Sequence, residues 1–200
     1  MFRKIIESHF RKPRGLVGIF TSNLMIKGNM SNYHVLLKDL DVQPDEKIME
    51  IGYGPGKGIE LISNISDSCQ IYGIDFSTLM YKKASTLNKG PIAVGQVKLF
   101  RGDFMRTDIG EYDFDKIFCI NVVYFWSKLQ PPFEKIRLLL KEGGSFHFFM
   151  AHRDFLLKMK ASDDIFSKHT IQEVVTALRL SGFKEIDYNF NKGYYIRARN

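Results

Sequence analysis

The sequence predicts an α/β domain on a mostly parallel sheet of seven strands, with helices on both faces and a helical cap ahead of it. Three observations predict this. From residue 47 onward short apolar runs alternate with helical patterns, the mark of consecutive βαβ units. The run Ile117-Phe118-Cys119-Ile120 is apolar without alternation, as in a strand covered on both faces. The chain has 200 residues, 44% hydrophobic and 26% charged, which suits one globular domain with a sizeable core.

The first 40 residues stand outside the alternation. Phe2, Ile5, Ile6 and Phe10 share one helical face, and Leu16, Val17, Phe20, Leu24 and Met25 form a second stripe after Pro13 and Gly15. A third helix is predicted over 31–40. Residues 1–40 are therefore read as a helical cap or lid on a domain of residues 41–200. Strands follow at 47–51, 70–75, 97–101, 115–121 and 145–150, with helices at 57–64, 77–89 and 132–141. Ser77 caps the second of these helices. Lys141-Glu142-Gly143-Gly144 ends the third, with glycine in the left-handed turn. Residues 151–169 form an insertion, helical in part. Thr170 and Glu173 then make a capping box for a helix over 170–181, which Gly182 stops. Two closing strands, 184–190 and 194–199, form a hairpin with Gly193 at its positive-φ position.

Charge separates the two parts. The chain carries a net +7, and residues 1–34 hold six basic side chains against Glu7 alone, a net +5. The basic head admits a solvated surface, a lipid surface, an anionic substrate or nucleic acid. No run of about 18 apolar residues predicts a transmembrane helix, and the charged N-terminus does not read as a secretory signal. Cys69 and Cys119 form no paired motif and the five histidines show no metal-ligand spacing. These features predict a cytoplasmic protein without disulfides or a metal.

The strongest local signal is Glu50-Ile51-Gly52-Tyr53-Gly54-Pro55-Gly56, between a strand and a helix. Such a loop lets backbone pass close to a ligand and aims helix N–H groups at it. It is neither a GxGxxG dinucleotide loop, since Lys57 or Ile59 holds the third glycine position, nor a Walker A loop, since Ile51 stands where its first glycine belongs. Asp75 follows Gly56 by 19 residues at the end of the next strand, where a carboxylate can accept from both hydroxyls of a ribose. Phe76 beside it can pack on an adenine face. Asp103-Phe104 ends the third strand and Asn121 to Trp126 follows the fourth. All four strand ends lie on one edge of the sheet.

Taken together, EIGYGPG, YGID, GDF, DKIFCINVVYFW, LLKEGGSF and the closing SGF resemble class I S-adenosylmethionine-dependent methyltransferases with their Rossmann-like fold. The resemblance spans roughly residues 31–200. It is greatest to the small-molecule, type 11 branch that includes ubiquinone and menaquinone biosynthesis enzymes. It implies that Glu50 orients the glycine loop, that Gly52, Gly54 and Gly56 line the cofactor, and that Asp75 holds the ribose. It further implies that Phe76, Asp103 and Phe104 bind the adenine and that Asn121 lies under the methionine moiety. Pro55 departs from the pattern and removes one N–H, which is tolerable for a cofactor without phosphates.

The activity so implied is methyl transfer from S-adenosylmethionine, leaving S-adenosylhomocysteine, to a small-molecule acceptor aligned with the sulfonium methyl. Tyr33, His34, Tyr124 and Trp126 are candidates for the acceptor pocket. Tyr124 and His152 are candidate bases if the acceptor carries a proton, though no dyad is legible. Two alternatives stand beside this reading: an RNA or DNA methyltransferase, and a non-catalytic module that binds the cofactor. Against the first, Asn121-Val122-Val123-Tyr124 stands where amino-methylating nucleic-acid enzymes have an Asp/Asn-Pro-Pro-aromatic motif.

Overall fold

The computed structural model describes residues 29–110, 112–158 and 166–200. The predicted helices within residues 1–28 lie outside these. Helix α1 covers described residues 29–40. It is followed by β1 (Lys47–Ile51), α2 (Lys57–Ser63), β2 (Gln70–Asp75), α3 (Thr78–Leu87), α4 (Lys89–Ala93), β3 (Val97–Arg101) and β4 (Phe114–Ile120). A 3-10 turn (Val123–Phe125), α5 (Gln130–Leu139), β5 (Leu140–Ala151), α6 (Arg153–Lys158), α7 (Ile171–Leu180), β6 (Glu185–Phe190) and β7 (Gly193–Arg199) complete the order.

The seven described strands form one sheet in the order β3-β2-β1-β4-β5-β7-β6. Pairings from β3 through β5 are parallel, and β7 is antiparallel to both β5 and β6. Strand periodicity divides the core between the two faces. Ile48, Ile71, Phe118 and Phe149 pack with Leu36 and Leu40 of α1, Ile59 and Ile62 of α2, and Ala84 of α3. Their neighbours Met49, Tyr72, Ile117, Cys119, Phe148 and Met150 face Phe133 and Ile136 of α5 and Val174 and Leu178 of α7. Doubly covered β4 is buried throughout its apolar run. The chain runs one way from β1 to β3 and crosses back to β4 beside β1. The ends of β1 and β4 therefore flank the switch point where open α/β sheets leave a crevice.

Capping chemistry placed the boundaries well. Ser77 accepts from Met80 N at 3.4 Å, the Thr170–Glu173 box is complete, and Gly182 leaves α7 at φ +91°. Three expectations are corrected. Lys141–Gly144 is not the end of a helix: α5 ends with Leu140 already extended, and these residues begin β5. Gly143 does have a positive φ of 75°, but within the irregular start of that strand, where the β4–β5 register shifts. In the β6–β7 hairpin Lys192, not Gly193, has the positive φ, at 58°. Gly193 answers to close packing instead: a Cβ there would lie 2.5 Å from the Phe149 ring. The predicted helix over 77–89 is also broken at Asn88, and the short α4 follows.

Candidate functional site

The glycine loop leaves β1 at the switch point and is held from three sides. Gly52 N donates to Ile74 O at 2.7 Å, and Gly54 N donates to Asp75 Oδ2 at 3.0 Å. The Tyr53 side chain is fully buried, and its hydroxyl reaches Phe100 O at 3.1 Å. Gly56 turns the chain into α2 at φ +88°, with Ala84 so near that a Cβ would sit 2.7 Å from the alanine methyl. Asn88, whose role the sequence did not disclose, fastens the loop from the far end of α3. Its Nδ2 donates to Gly56 O at 3.1 Å and to Ala84 O at 2.9 Å. Over Gly54 the space is open, with nothing within 4 Å of an added Cβ. That is the geometry of backbone offered to a ligand.

Asp75 ends β2 as its spacing predicted. Oδ1 accepts from Ser77 N at 2.8 Å while Oδ2 takes Gly54 N. Burial pushes its carboxyl up to about 6 against these two hydrogen bonds. Each oxygen retains acceptor capacity for a further donor. Phe76 beside it is 37% exposed. Asp103 is exposed, and its Oδ1 accepts from Met105 N at 2.8 Å in a tight turn. The Phe104 ring does not face that edge. It lies in the core with Trp126 6.3 Å away and Lys135 Nζ 5.0 Å above it. Only the Phe104 main chain remains to meet an adenine, and its carbonyl accepts from Lys135 at 2.6 Å.

Glu50 is wholly buried. Its Oε1 accepts from the Tyr33 hydroxyl at 2.8 Å, and Oε2 has no hydrogen-bond partner. Burial pushes the carboxyl up to about 8, with the Tyr33 bond and the Ile59 amide pulling the other way. Asn121, at the end of β4, holds φ +58°, a conformation that favours asparagine among non-glycine residues. Its Nδ2 donates to Asn29 Oδ1 at 2.8 Å, and its Oδ1 is buried without a partner. Two orphaned acceptors at the ends of β1 and β4 are costly unless a donor meets them.

The acceptor-side candidates separate. Tyr33 is committed to Glu50, and His34 is exposed on α1. Tyr124 packs with Phe125 and Phe166, ring centroids 4.7 and 5.4 Å away. Burial holds its hydroxyl well above the ordinary phenol range, so it stays protonated at neutral pH. Trp126 turns to the core, edge-on to Phe133 at 6.1 Å. His152 lies edge-on to Phe190 and tilted against Tyr194, and its Nδ1 accepts from Asp154 N at 3.2 Å. No hydrogen bond among the described residues joins His152 to Tyr124. Val122, which the sequence left unassigned, packs against the glycine loop. A Cβ on Gly52 would meet its Cγ2 at 2.5 Å. Among the described residues no cluster of three His, Cys, Asp or Glu is placed to hold a metal, and no helix is long and apolar enough to cross a membrane.

Strand order, glycine loop and the acid at the end of β2 define a class I S-adenosylmethionine-dependent methyltransferase fold. The family model described as a methyltransferase domain, of type 11, matches residues 49–148, and the chain belongs to that family. A sterol 24-C-methyltransferase of Neurospora crassa is 25% identical over 78% of this chain and 44% of its own length. The chain spans less than half of such sterol relatives. The uncharacterized methyltransferase YdaC of Bacillus subtilis is 23% identical over 84% of this chain and 87% of its own. Among solved structures, an S-adenosylmethionine-dependent methyltransferase from Mesorhizobium loti superposes with a TM-score of 0.70 at 15% identity, covering 86% of this chain and 97% of that one. The N-methyltransferase NodS of Bradyrhizobium japonicum, solved with S-adenosylhomocysteine, gives 0.67 at 18% identity, covering 86% of each.

Proposed function

We propose that this protein transfers a methyl group from S-adenosylmethionine to a small, largely apolar acceptor. The observation that carries the reading is the pair of buried, unpartnered acceptors, Glu50 Oε2 and Asn121 Oδ1, beside an open glycine loop. They match the amino group of an amino-acid-bearing cofactor. The bound cofactor supplies an already activated methyl on a sulfonium. Asp75 accepts from the ribose hydroxyls with the lone pairs its backbone donors leave free. Phe76 covers one adenine face, and Asp103 Oδ2 accepts from the exocyclic amine. Gly52, Gly54 and Gly56 give the ligand access to backbone. Val122, Tyr124 and Phe125 wall the methyl side, where their work is alignment and exclusion of water. A protonated Tyr124 acts there as a hydrogen-bond donor rather than as a base.

The acceptor is read from two observations. The relatives named for sterols methylate a lipid at carbon. Phe155 and Leu157 of α6 and Tyr188 and Phe190 of the β6–β7 hairpin are exposed, and the Phe190 ring meets that of His152, just ahead of α6, at 5.4 Å. Arg153 and Lys158 of α6 and Lys192 of the hairpin turn are exposed on the same elements, and the +5 N-terminal segment leads into α1 at Asn29, bonded to Asn121. Aromatic side chains rimmed by cations suit the interface of an anionic bilayer. The protein in this reading works from the cytoplasm at a membrane surface. Buried, unpaired Cys69 and Cys119 agree with a reducing compartment.

Calorimetry with S-adenosylhomocysteine, followed by transfer of labelled methyl into a lipid extract, tests the reading. Binding and labelled lipid are expected; a well-folded protein that binds neither cofactor form overturns it.

A further inference from the structure

Helix α1 grips both orphaned acceptors. Asn29 and Tyr33 lie one turn apart, on the same helix face. Asn29 takes the amide of Asn121, and Tyr33 donates to Glu50. Each partner is thus held by one atom while its other polar atom, Glu50 Oε2 or Asn121 Oδ1, is buried and unmatched. The Glu50 carboxyl sits over Gly58, where a Cβ would lie 2.5 Å from Oε2. The small residue leaves the carboxyl its place.

The groups that face Glu50 are Tyr33 from α1, Tyr53 from the glycine loop, Asp75 from β2 and Cys119 from β4, all of them acids. From α2 comes the Ile59 amide, while Lys57 of that helix is paired with Glu60. A carboxylate buried among acids, with only a hydroxyl and a backbone amide to oppose its burial, is poorly compensated.

We propose that cofactor loading is proton-linked at Glu50, with Tyr33 as the positioning residue that holds its carboxyl. This rests on the methyltransferase reading of the site. The carboxylic acid loses its proton to bulk water as the ligand's ammonium takes the freed carboxylate, and Asn121 Oδ1 accepts from the same ammonium. One proton leaves for each ligand bound, and no covalent bond of the ligand changes. Burial that holds the Glu50 carboxyl up to about 8 in the free protein supports this direction.

The test is calorimetry of the full chain with S-adenosylhomocysteine, which carries the amino group without the sulfonium, in two buffers of different ionisation enthalpy. At about pH 6.5 the expected release is about one proton per ligand. Affinity should rise up to about tenfold per pH unit between about pH 5.5 and 7.5, below the titration of the ligand's own amine. Glu50→Gln keeps the shape without the titration. It should remove most of the release at about pH 6.5 and the slope above it, leaving only what Asp75, held up at about 6, contributes below that. Tyr33→Phe should move the midpoint to higher pH, whereas a merely structural tyrosine would weaken binding equally at every pH. Wild-type binding with buffer-independent heat overturns the proposal, as does proton release undiminished in Glu50→Gln. Should Glu50→Gln fail to fold, the wild-type buffer pair and the Tyr33→Phe midpoint decide. Absence of binding at every pH overturns the methyltransferase reading itself.

Discussion

Asp75 Oδ2 accepts the Gly54 amide at 3.0 Å, so the residue proposed to meet a ribose also fixes the glycine loop. With Oδ1 on Ser77 N, one carboxylate joins the glycine loop, the end of β2 and the start of α3. Asp75→Asn turns an amide NH2 toward one of these two backbone donors. It is expected to cost about 1–3 kcal/mol of stability and to lower affinity for S-adenosylhomocysteine at least about tenfold. Thermal melts and calorimetry on the same preparation check both.

Gly56 and Gly54 are expected to answer an added methyl differently. Gly56→Ala places a Cβ 2.7 Å from Ala84 Cβ and 2.9 Å from its Cα at a positive φ, and backbone cannot step aside. A loss of about 2–4 kcal/mol follows from overpacking and strain together. Gly54→Ala meets nothing within 4 Å, and its cost is the left-handed conformation alone, about 1–2 kcal/mol. Its methyl projects where the ligand approaches. Gly54→Ala should therefore fold yet lose cofactor binding, a contrast that denaturant titration and calorimetry read directly.

The Glu50 carboxyl also makes stability depend on pH. Its folded value, about 8, lies above its ordinary 4.5, so the folded protein binds more protons than the unfolded chain between these values. This contribution is fully present below about 4.5 and is lost as pH rises through about 8. Chemical denaturation of the ligand-free protein should show that decline, and Glu50→Gln should flatten it.

At the far end of α1, Asp39 Oδ2 meets His147 Nδ1 at 2.8 Å, and His147 Nε2 meets Ser145 Oγ at 2.9 Å. Burial lowers the His147 value from 6.5, Asp39 opposing, and the bond to His147 lowers that of Asp39. Both contributions are present above the unfolded values and lost as pH falls through the folded ones. Hydrogen exchange over residues 29–40, corrected for intrinsic rates, is expected to accelerate from about pH 7 to about pH 5. His147→Phe should remove most of that dependence.

The exposed aromatic rim gives a surface prediction. Phe155→Ser together with Phe190→Ser should leave the melting temperature within about 2 °C, because both rings are more than half exposed. Flotation with phosphatidylcholine vesicles containing phosphatidylglycerol should fall severalfold. Retention of transfer RNA in place of vesicles, lost as salt rises, would point to nucleic acid instead.

The succession of strands and helices along the chain and the helix caps were legible in the sequence, because they rest on local periodicity and on hydrogen bonds a few residues long; the order of strands in the sheet came from the structure. Ser77, the Thr170–Glu173 box and Asp75 needed no knowledge of distant chain. Tertiary structure alone decided which candidates are brought together and which are turned away. It brought Tyr33 to Glu50 across 17 residues, Asn88 to Gly56 across 32 and Asn29 to Asn121 across 92. It also turned the rings of Phe104 and Trp126 into the core and set Gly193 against Phe149. A pattern of residue types tells which face of an element is apolar. Only the packing of helices on the sheet determines which buried polar atoms find partners and which do not.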